Sequence, residues 1–340
     1  MPHWLRVTAV VVGALVVGAA LVVVALLATA PAPQERDEWT LGPELPMAFG
    51  ELATVSVTRD DGTEVLVVLS GLSGLARVAD DVFAYDSASG AWSRGPSLPA
   101  PRHHASAAAL DGAVVLSGGA EGLAPPWAGS RDVWRWEPGD TEWYAMPPLP
   151  EERYGHRMVE FGGRLYVVGG HGETADSYVF DPALDTWAAA APIPEMRDHL
   201  SVVVAGERIW AIGGRGPQNT ARVDIYDPDT DRWGPGPPLP EPTSGAAEGV
   251  LGGRIYVIGG EDASTLGGGV IDRHWMLDTR AEELRWELVP PPPLAVHGAD
   301  GTVFEGRMVV VGGAGRHGAL SPSAWARAFQ LLDGVDGGVP

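Results

Sequence analysis

The sequence predicts an all-β protein built as a propeller, which is a radial array of short antiparallel sheets. Tryptophan recurs 44 to 53 residues apart, and a proline-rich turn follows each occurrence. A glycine pair that closes an apolar run recurs with a similar period, and this combination is typical of radial sheet arrays. The periodic residues are Trp39, Trp92, Trp143, Trp187, Trp233 and Trp286, with the pairs Gly118-Gly119, Gly169-Gly170, Gly213-Gly214, Gly259-Gly260 and Gly312-Gly313.

The stretch from residue 154 to residue 187 indicates how one repeat is built. Four short strands are predicted there, at 154–161, 164–170, 177–181 and from 186 onward. Gly162-Gly163 joins the first two strands, as a tight hairpin turn requires. Gly169-Gly170 ends the buried second strand, where missing side chains allow another backbone to approach. The tryptophan that follows is expected to pack in the core.

The order of these markers resembles the Kelch repeat. A glycine pair is followed by an aromatic-Asp-Pro turn, such as Tyr226-Asp227-Pro228, and then by a tryptophan before a Leu-Pro turn. The resemblance extends over residues 38–333. It implies a six-bladed Kelch-type β-propeller with four strands in each blade, a fold that often serves as a platform for protein or carbohydrate binding.

The two ends of the repeat region are expected to meet. The last glycine pair has no tryptophan after it, whereas Trp39 has no glycine pair before it. Residues 38–46 should therefore complete blade six beside the last strand and protect an open sheet edge. Residues 334–340 are predicted to form a disordered tail.

An apolar segment precedes the repeats. Residues 7–30 carry no charge and would extend about 36 Å as a helix, enough to cross a bilayer. Residues 1–30 are thus predicted to be a membrane anchor, a signal-anchor helix, followed by a linker at 31–37. Arg6 precedes the span and acidic residues follow it, which favours a single-pass protein with a cytoplasmic amino terminus and an extracytoplasmic propeller. The alternative is a signal peptide cleaved after Ala28-Thr29-Ala30 and a secreted propeller.

Composition narrows the classes of partner. With 44 acidic and 23 basic residues the net charge is −21, which argues against nucleic-acid binding. The chain has no cysteine, so no disulfide is available. A monomeric propeller is expected.

The loops that enter the first strands suggest a binding mouth. Arg102, Arg153 and Arg197 each lie 16 residues before the first glycine of a pair, and His104, His156 and His199 follow them. His171 and Arg215 lie just past glycine pairs, and Trp127 lies in a long loop. Guanidinium groups bind carboxylates through paired hydrogen bonds, so the predicted ligand is an acidic peptide or an anionic glycan. The alternative is that these arginines bond neighbouring loops and carbonyls at strand ends.

No metal site, cofactor or catalytic constellation is predicted. The histidines lie on different blades, so their convergence on one ion is not assured. Galactose oxidase is a Kelch propeller with a copper site that includes a cysteine, and its chemistry is excluded here. The leading hypothesis is a membrane-tethered module that binds a protein or glycan. One alternative is a sugar mutarotase resembling N-acetylneuraminate epimerase. In that case the three arginines would line the mouth and Glu248 would act as the acid or base. Another is a structural subunit of an envelope complex.

Overall fold

The computed structural model describes residues 39–73, 77–123, 125–262, 269–315 and 329–332, and this part of the chain is entirely β-structure and loops. Six four-stranded antiparallel sheets are present. Five of them are continuous meanders, which we call blades I to V. The sixth combines strands from both ends of the described chain, and we call it the closing sheet.

The strands of blades I to III follow in chain order. Blade I contains β2 (Ala53–Thr58), β3 (Glu64–Leu69), β6 (Val82–Asp86) and β7 (Ala91–Arg94), and a two-stranded ribbon, β4 (Leu72–Ser73) with β5 (Arg77–Val78), extends from it. Blade II contains β8 (Ser106–Leu110), β9 (Ala113–Ser117), β12 (Val133–Trp136) and β13 (Tyr144–Ala145), with a ribbon of β10 (Ala120–Glu121) and β11 (Ala128–Gly129). Blade III contains β14 (Arg157–Phe161), β15 (Arg164–Val168), β16 (Ser177–Asp181) and β17 (Thr186–Ala190).

The remaining sheets complete the array. Blade IV contains β18 (Ser201–Ala205), β19 (Arg208–Ile212), β20 (Val223–Asp227) and β21 (Arg232–Pro235). Blade V contains β22 (Ala247–Leu251), β23 (Arg254–Ile258), β24 (His274–Asp278) and β25 (Glu287–Val289). The closing sheet contains β26 (His297–Phe304), β27 (Arg307–Ala314), β28 (Phe329–Leu332) and β1 (Trp39–Leu41).

The expected fold class is corrected in two respects. The expected count of six blades is replaced by five continuous blades and a composite closing sheet, in which Trp39 pairs with Leu332. The second correction concerns the helix, because the described residues contain no helix and therefore none that could cross a bilayer. The anchor at 1–30, the linker at 31–37 and the tail at 334–340 lie outside the described residues.

The periodic tryptophans join neighbouring sheets. The indole N–H of Trp187 in blade III donates to the carbonyl of Pro147, in the turn after the last strand of blade II, at 2.9 Å. Trp39 of the closing sheet donates in the same way to Pro290 after blade V, at 3.2 Å. Equivalent bonds join Trp143 to Pro96, Trp233 to Ala191 and Trp286 to Pro237. The tryptophan period thus records a contact between sheets.

The glycine pairs mark where the next sheet approaches. A Cβ added to Gly118 would lie 2.6 Å from the carbonyl oxygen of Arg153 in the following loop. The amide of Gly119 donates to that same oxygen at 2.9 Å. Gly313 donates likewise to Phe49 at 2.9 Å, so the closing sheet is bonded to blade I. In blades II to V and the closing sheet, the second strand therefore ends at or beside a glycine pair because a neighbouring backbone occupies the side-chain space.

Candidate functional site

The three arginines of the entry loops are buried and bound within the chain. Arg153 has no exposed surface, and Arg102 and Arg197 are each 2% exposed. Arg102 donates to Asp132 at 2.7 Å, and Arg197 pairs with Asp224 at 2.9 Å.

Arg153 shows why this position favours arginine. Its Nη1 donates to the carbonyl of Gly169 at 2.7 Å, and its Nη2 donates to those of Asp176 and Thr174 at 2.8 and 3.1 Å and contacts Glu151. One guanidinium thereby satisfies carbonyls of a strand end and a loop that have no ladder partners. This geometry corrects the expectation of a basic side of the mouth, because the guanidinium groups face loop acceptors.

Six residues line the axis, one from each entry loop. Each lies two positions after Arg102, Arg153 or Arg197, or after the equivalent residue of a loop without arginine. All six have positive φ angles, and their amides form a closed ring in which each N–H donates to the carbonyl of the preceding sheet's residue at 2.7 to 3.1 Å. We call this the axial ring, and the end of the propeller that carries it the mouth. Its members are Glu51 (52°), His104 (54°), Gly155 (63°), His199 (51°), Gly245 (61°) and Gly298 (57°).

The three side chains of the axial ring converge. One ligand-type atom each from Glu51, His104 and His199 lies within 4.8 Å of the other two, and Nε2 of His104 is 3.3 Å from a Glu51 carboxylate oxygen. The glycines make room for them, since a Cβ on Gly298 would lie 2.4 Å from the Glu51 carboxylate. The sequence spacing did not assure that the histidines converge, and the structure brings His104 and His199 together.

His199 is oriented by a carboxylate. Its Nδ1 lies 2.6 Å from Oδ1 of Asp198, and Arg215 approaches the same ring at 3.1 Å. Burial acts to raise the pKa of Asp198, but the hydrogen bond from His199 and the charges of His199 and Arg215 hold that pKa below its usual range. Arg215 also pairs with Glu261 at 2.9 Å. Its charge is therefore compensated by two carboxylates.

His104 is held neutral. Burial lowers its pKa well below the usual value, and the neighbouring His199 adds to the shift. Its Nδ1 contacts Nδ1 of His103, whose Nε2 lies 2.8 Å from the carbonyl oxygen of Gly122. Burial also lowers the pKa of His103. A chain of hydrogen bonds therefore fixes both rings.

An aromatic pocket opens beside the axial ring. Trp127, Tyr154 and His171 line a cavity of about 450 Å³ between the loops of blades II and III. Tyr154 and His171 are stacked with ring centroids 4.8 Å apart and planes 8° apart, and Trp127 packs edge-on against Tyr154 at 5.8 Å. Trp127 also packs against His104 at 4.8 Å. The pocket and the axial ring are therefore continuous through packed rings.

Below the axial ring, one arginine crosses the central channel. Arg157 pairs with Glu248 of blade V at 2.8 Å and with Asp300 of the closing sheet at 3.0 Å. These residues line a channel cavity of about 290 Å³. Burial raises the pKa of Glu248 to about 8 in spite of Arg157, and Asp300 pushes it in the same direction. Burial raises the pKa of Asp300 too, and both carboxyl groups accept backbone hydrogen bonds, Asp300 from Thr54 and Gly301 and Glu248 from Val202.

Sequence reasoning found part of this site. Trp127, His104, His171, His199 and Arg215 are brought together at the mouth, whereas Arg102, Arg153 and Arg197 are drawn between loops. His156 is a core residue, with its Nε2 2.9 Å from the hydroxyl of Ser117 and its pKa lowered by burial to about 3.

The roles of Glu51, Tyr154, Arg157 and Asp300 were missed. One signal was available, since His104, Gly155 and His199 all lie 14 residues before the first glycine of a pair. Glu51 departs from that offset because the first hairpin of blade I has longer strands and a longer turn, at residues 59–63.

Comparisons with known proteins agree with this architecture. The Kelch motif model matches residues 152–194 and 196–240. The mouse Kelch-like protein 35 is 30% identical over 140 residues, 41% of this chain and 22% of that protein, and the human Kelch-like protein 25 is 32% identical over 107 residues, 31% and 17%. The chain thus matches about a fifth of the length of these relatives. The solved structure of YjhT superposes with a TM-score of 0.67 at 17% identity, covering 86% of this chain and 96% of that one.

Proposed function

The chain belongs to the Kelch-repeat propeller family, and from this premise we propose that it is a membrane-tethered, extracytoplasmic module that binds a protein partner at its mouth. The observation that carries the proposal is the aromatic pocket of Trp127, Tyr154 and His171. Rigid aromatic side chains in a loop pocket supply contact area at a low cost in conformational entropy. The indole N–H of Trp127 also has no acceptor among the described residues.

The charge around the pocket favours a neutral or basic partner. Glu151, Glu152 and Glu173 line it together with one cation, Arg131. The arginines expected to bind an acidic ligand are buried, with Arg153 paired to Glu151 at the edge of this pocket, and the whole chain carries a net charge of −21. An inserted lysine, arginine or aromatic side chain would find aromatic faces for cation–π or stacking contact. We therefore propose a basic peptide segment as the ligand class, in place of an acidic peptide or anionic glycan.

Peptide binding tests this proposal. The full-length chain is titrated with fluorescein-labelled hexapeptides of Arg and Gly, with a matched Glu and Gly series and an array of sialylated and neutral glycans as alternatives. We expect the basic peptides to bind, and Trp127→Ala to weaken binding at least tenfold. Tyr144→Ala is the matched control, since Tyr144 is 48% exposed on the outer strand β13. Binding of acidic peptides or glycans alone, or equal losses in both variants, would overturn the proposal.

The tether is proposed from the apolar run at residues 7–30, and it has its own test. Because the chain has no cysteine, Ala88→Cys in an exposed turn of blade I provides a unique label site. An extracytoplasmic propeller is labelled by a membrane-impermeant maleimide on intact cells and stays in the membrane fraction after carbonate washing. Labelling only after lysis would contradict the orientation, and release by carbonate would contradict the tether.

Acid–base chemistry on a sugar is a second candidate, favoured by the His199–Asp198 pair. A histidine oriented by a carboxylate is the arrangement of a general base. The earlier assignment to Arg102, Arg153, Arg197 and Glu248 lacks support, because those arginines are buried away from Glu248. Anomer equilibration of fresh reducing sugars, followed by proton NMR, tests this candidate. A rate equal to that of the Asp198→Asn variant would exclude it.

A further inference from the structure

The axial ring carries a second site that is separate from peptide binding. We propose that Glu51, His104 and His199 hold a divalent transition-metal ion on the propeller axis. Two imidazoles and one carboxylate are a common ligand set for zinc and related ions, with one position left for water or a ligand. Their ligand atoms lie within 4.8 Å of one another. Small side-chain rotations would bring each to the bond length of about 2 Å that such ions require.

The hydrogen bonds around His104 fix which nitrogen faces the axis. The carbonyl oxygen of Gly122 only accepts, so Nε2 of His103 carries the proton in that 2.8 Å contact. Nδ1 of neutral His103 is then an acceptor, and its contact with Nδ1 of His104 requires that nitrogen to donate. Nε2 of His104 is left with a lone pair 3.3 Å from the carboxylate of Glu51. A lone pair facing a carboxylate is unfavourable unless a positive species lies between them.

His199 repeats this arrangement. The shortest contact of its Nδ1 is the 2.6 Å one with Asp198, which accepts a hydrogen bond from that nitrogen. Nε2 is the nitrogen left for the axis, and Nη2 of Arg215 lies 3.4 Å from it. Metal-ligating histidines commonly donate their other N–H to a carboxylate or a carbonyl, which fixes the tautomer and raises ligand basicity. Asp198 does this for His199 directly, and His103 relays from Gly122 to His104.

The charge balance also favours a cation. Three carboxylates, Glu51, Asp198 and Glu261, surround the axis at the level of the ring, and Nδ1 of His297 lies 3.5 Å from Glu261 and 3.9 Å from Glu51. Arg215 is the one guanidinium that contacts His199 among the described residues, and it is shared between Asp198 and Glu261. Deeper in the channel, Arg157 is paired with Glu248 and Asp300. The ring region thus keeps an excess of negative charge that a divalent ion would compensate.

The backbone conformation of the three ring residues that are not glycine supports the same assignment. At φ angles near +60° glycine is the unstrained choice, yet Glu51, His104 and His199 adopt these angles. Residues other than glycine are strained in this region of backbone conformation, and such residues cluster at functional sites. Three such residues converge on one point, and a side chain at Gly298 would displace the Glu51 carboxylate.

Metal titration of the full-length chain tests the proposal. After dialysis against a chelator, the protein is titrated with Co²⁺, followed by visible absorption, and with Zn²⁺ in competition with a fluorescent chelator. We expect one ion per chain. Glu51→Gln and His199→Ala should lower Zn²⁺ affinity by at least about 100-fold. Asp198 orients His199, so Asp198→Asn should lower the affinity by about 10- to 100-fold.

Glu207→Gln is the matched control. Glu207 is an exposed glutamate with a φ of +59° in the hairpin turn of blade IV, so it shares the backbone conformation of Glu51 but not its position. This variant should bind Zn²⁺ as the wild type does. Circular dichroism checks that each variant is folded, and His104→Gln replaces any variant that is not. Absence of stoichiometric binding by the wild type, or equal affinities in Glu51→Gln and Glu207→Gln, would overturn the proposal.

Discussion

Arg153 and Arg157 are four residues apart in the sequence, yet their guanidinium groups bind different parts of the propeller. Arg153 lies in the entry loop, and its guanidinium bonds the carbonyls of Gly169, Thr174 and Asp176 of its own blade. Arg157 lies in β14, and its guanidinium crosses the channel to Glu248 and Asp300. Between them, Gly155 belongs to the axial ring.

This difference separates contacts within a repeat from contacts on the axis. The arginine position joins parts of one blade, so its partners are near in sequence. Residues that face the central axis contact residues of other sheets, and Arg157 and Glu248 are 91 residues apart in the sequence. The contacts of the arginines within a blade are therefore expected to support stability. The contacts on the axis are expected to carry the binding chemistry.

The largest effect is expected when the contacts of Arg153 within its blade are removed. Arg153→Ala removes a fully buried guanidinium and leaves several acceptors unpaired, so we expect a loss of about 3 to 5 kcal/mol in the free energy of unfolding. Arg164→Ala is the control in the same blade, because the Arg164 side chain is 52% exposed and pairs with Asp181 at the surface. It should cost no more than about 1 kcal/mol. Urea unfolding measures both, and equal losses would contradict the structural role of Arg153.

The next effect concerns the channel and depends on pH. The pKa of Glu248 is raised to about 8 from an ordinary value near 4.5, so the folded state binds a proton that the unfolded state releases between these values. Stability that is present below pH 4.5 is lost as pH rises through 8, by about 1.4 kcal/mol for each unit of the pKa shift. Glu248→Gln keeps a neutral group there, and its melting temperature should fall less than that of the wild type between about pH 6 and about pH 9. Parallel pH profiles of the two proteins would contradict this.

The smallest effect sharpens the description of the axial ring. Gly298→Ala and Gly245→Ala both place a side chain at a positive φ, which costs about 1 kcal/mol or more. At Gly298 the new Cβ would also meet the Glu51 carboxylate at 2.4 Å, whereas at Gly245 the nearest atom lies 3.7 Å away. We expect Gly298→Ala to cost about 1 kcal/mol more in thermal unfolding. It should also weaken Zn²⁺ binding, and equal behaviour of the two variants would contradict the placement of Glu51.

The regular contacts were predictable because they follow the repeat. Trp187 and the pair Gly169-Gly170 mark a turn and a strand end in the sequence, and both lie at the sheet boundaries where the period puts them. The arginine spacing was visible too, but its meaning was not. A guanidinium at that position can face the mouth or turn back to strand-end carbonyls, and only the loop path after Gly169 decides between these.

The sequence by itself determined the all-β repeat, the Kelch resemblance and the candidates His104, His199, His171, Arg215 and Trp127 at the mouth, because these depend on local period and residue type. Only the tertiary structure decided that Arg102, Arg153 and Arg197 are buried and bonded within their own blades. It alone brought Glu51 to His104 and His199, and Arg157 to Glu248 and Asp300. The physical reason is that radial closure brings distant segments to one axis, where burial and opposing charges set protonation in ways that no single segment encodes.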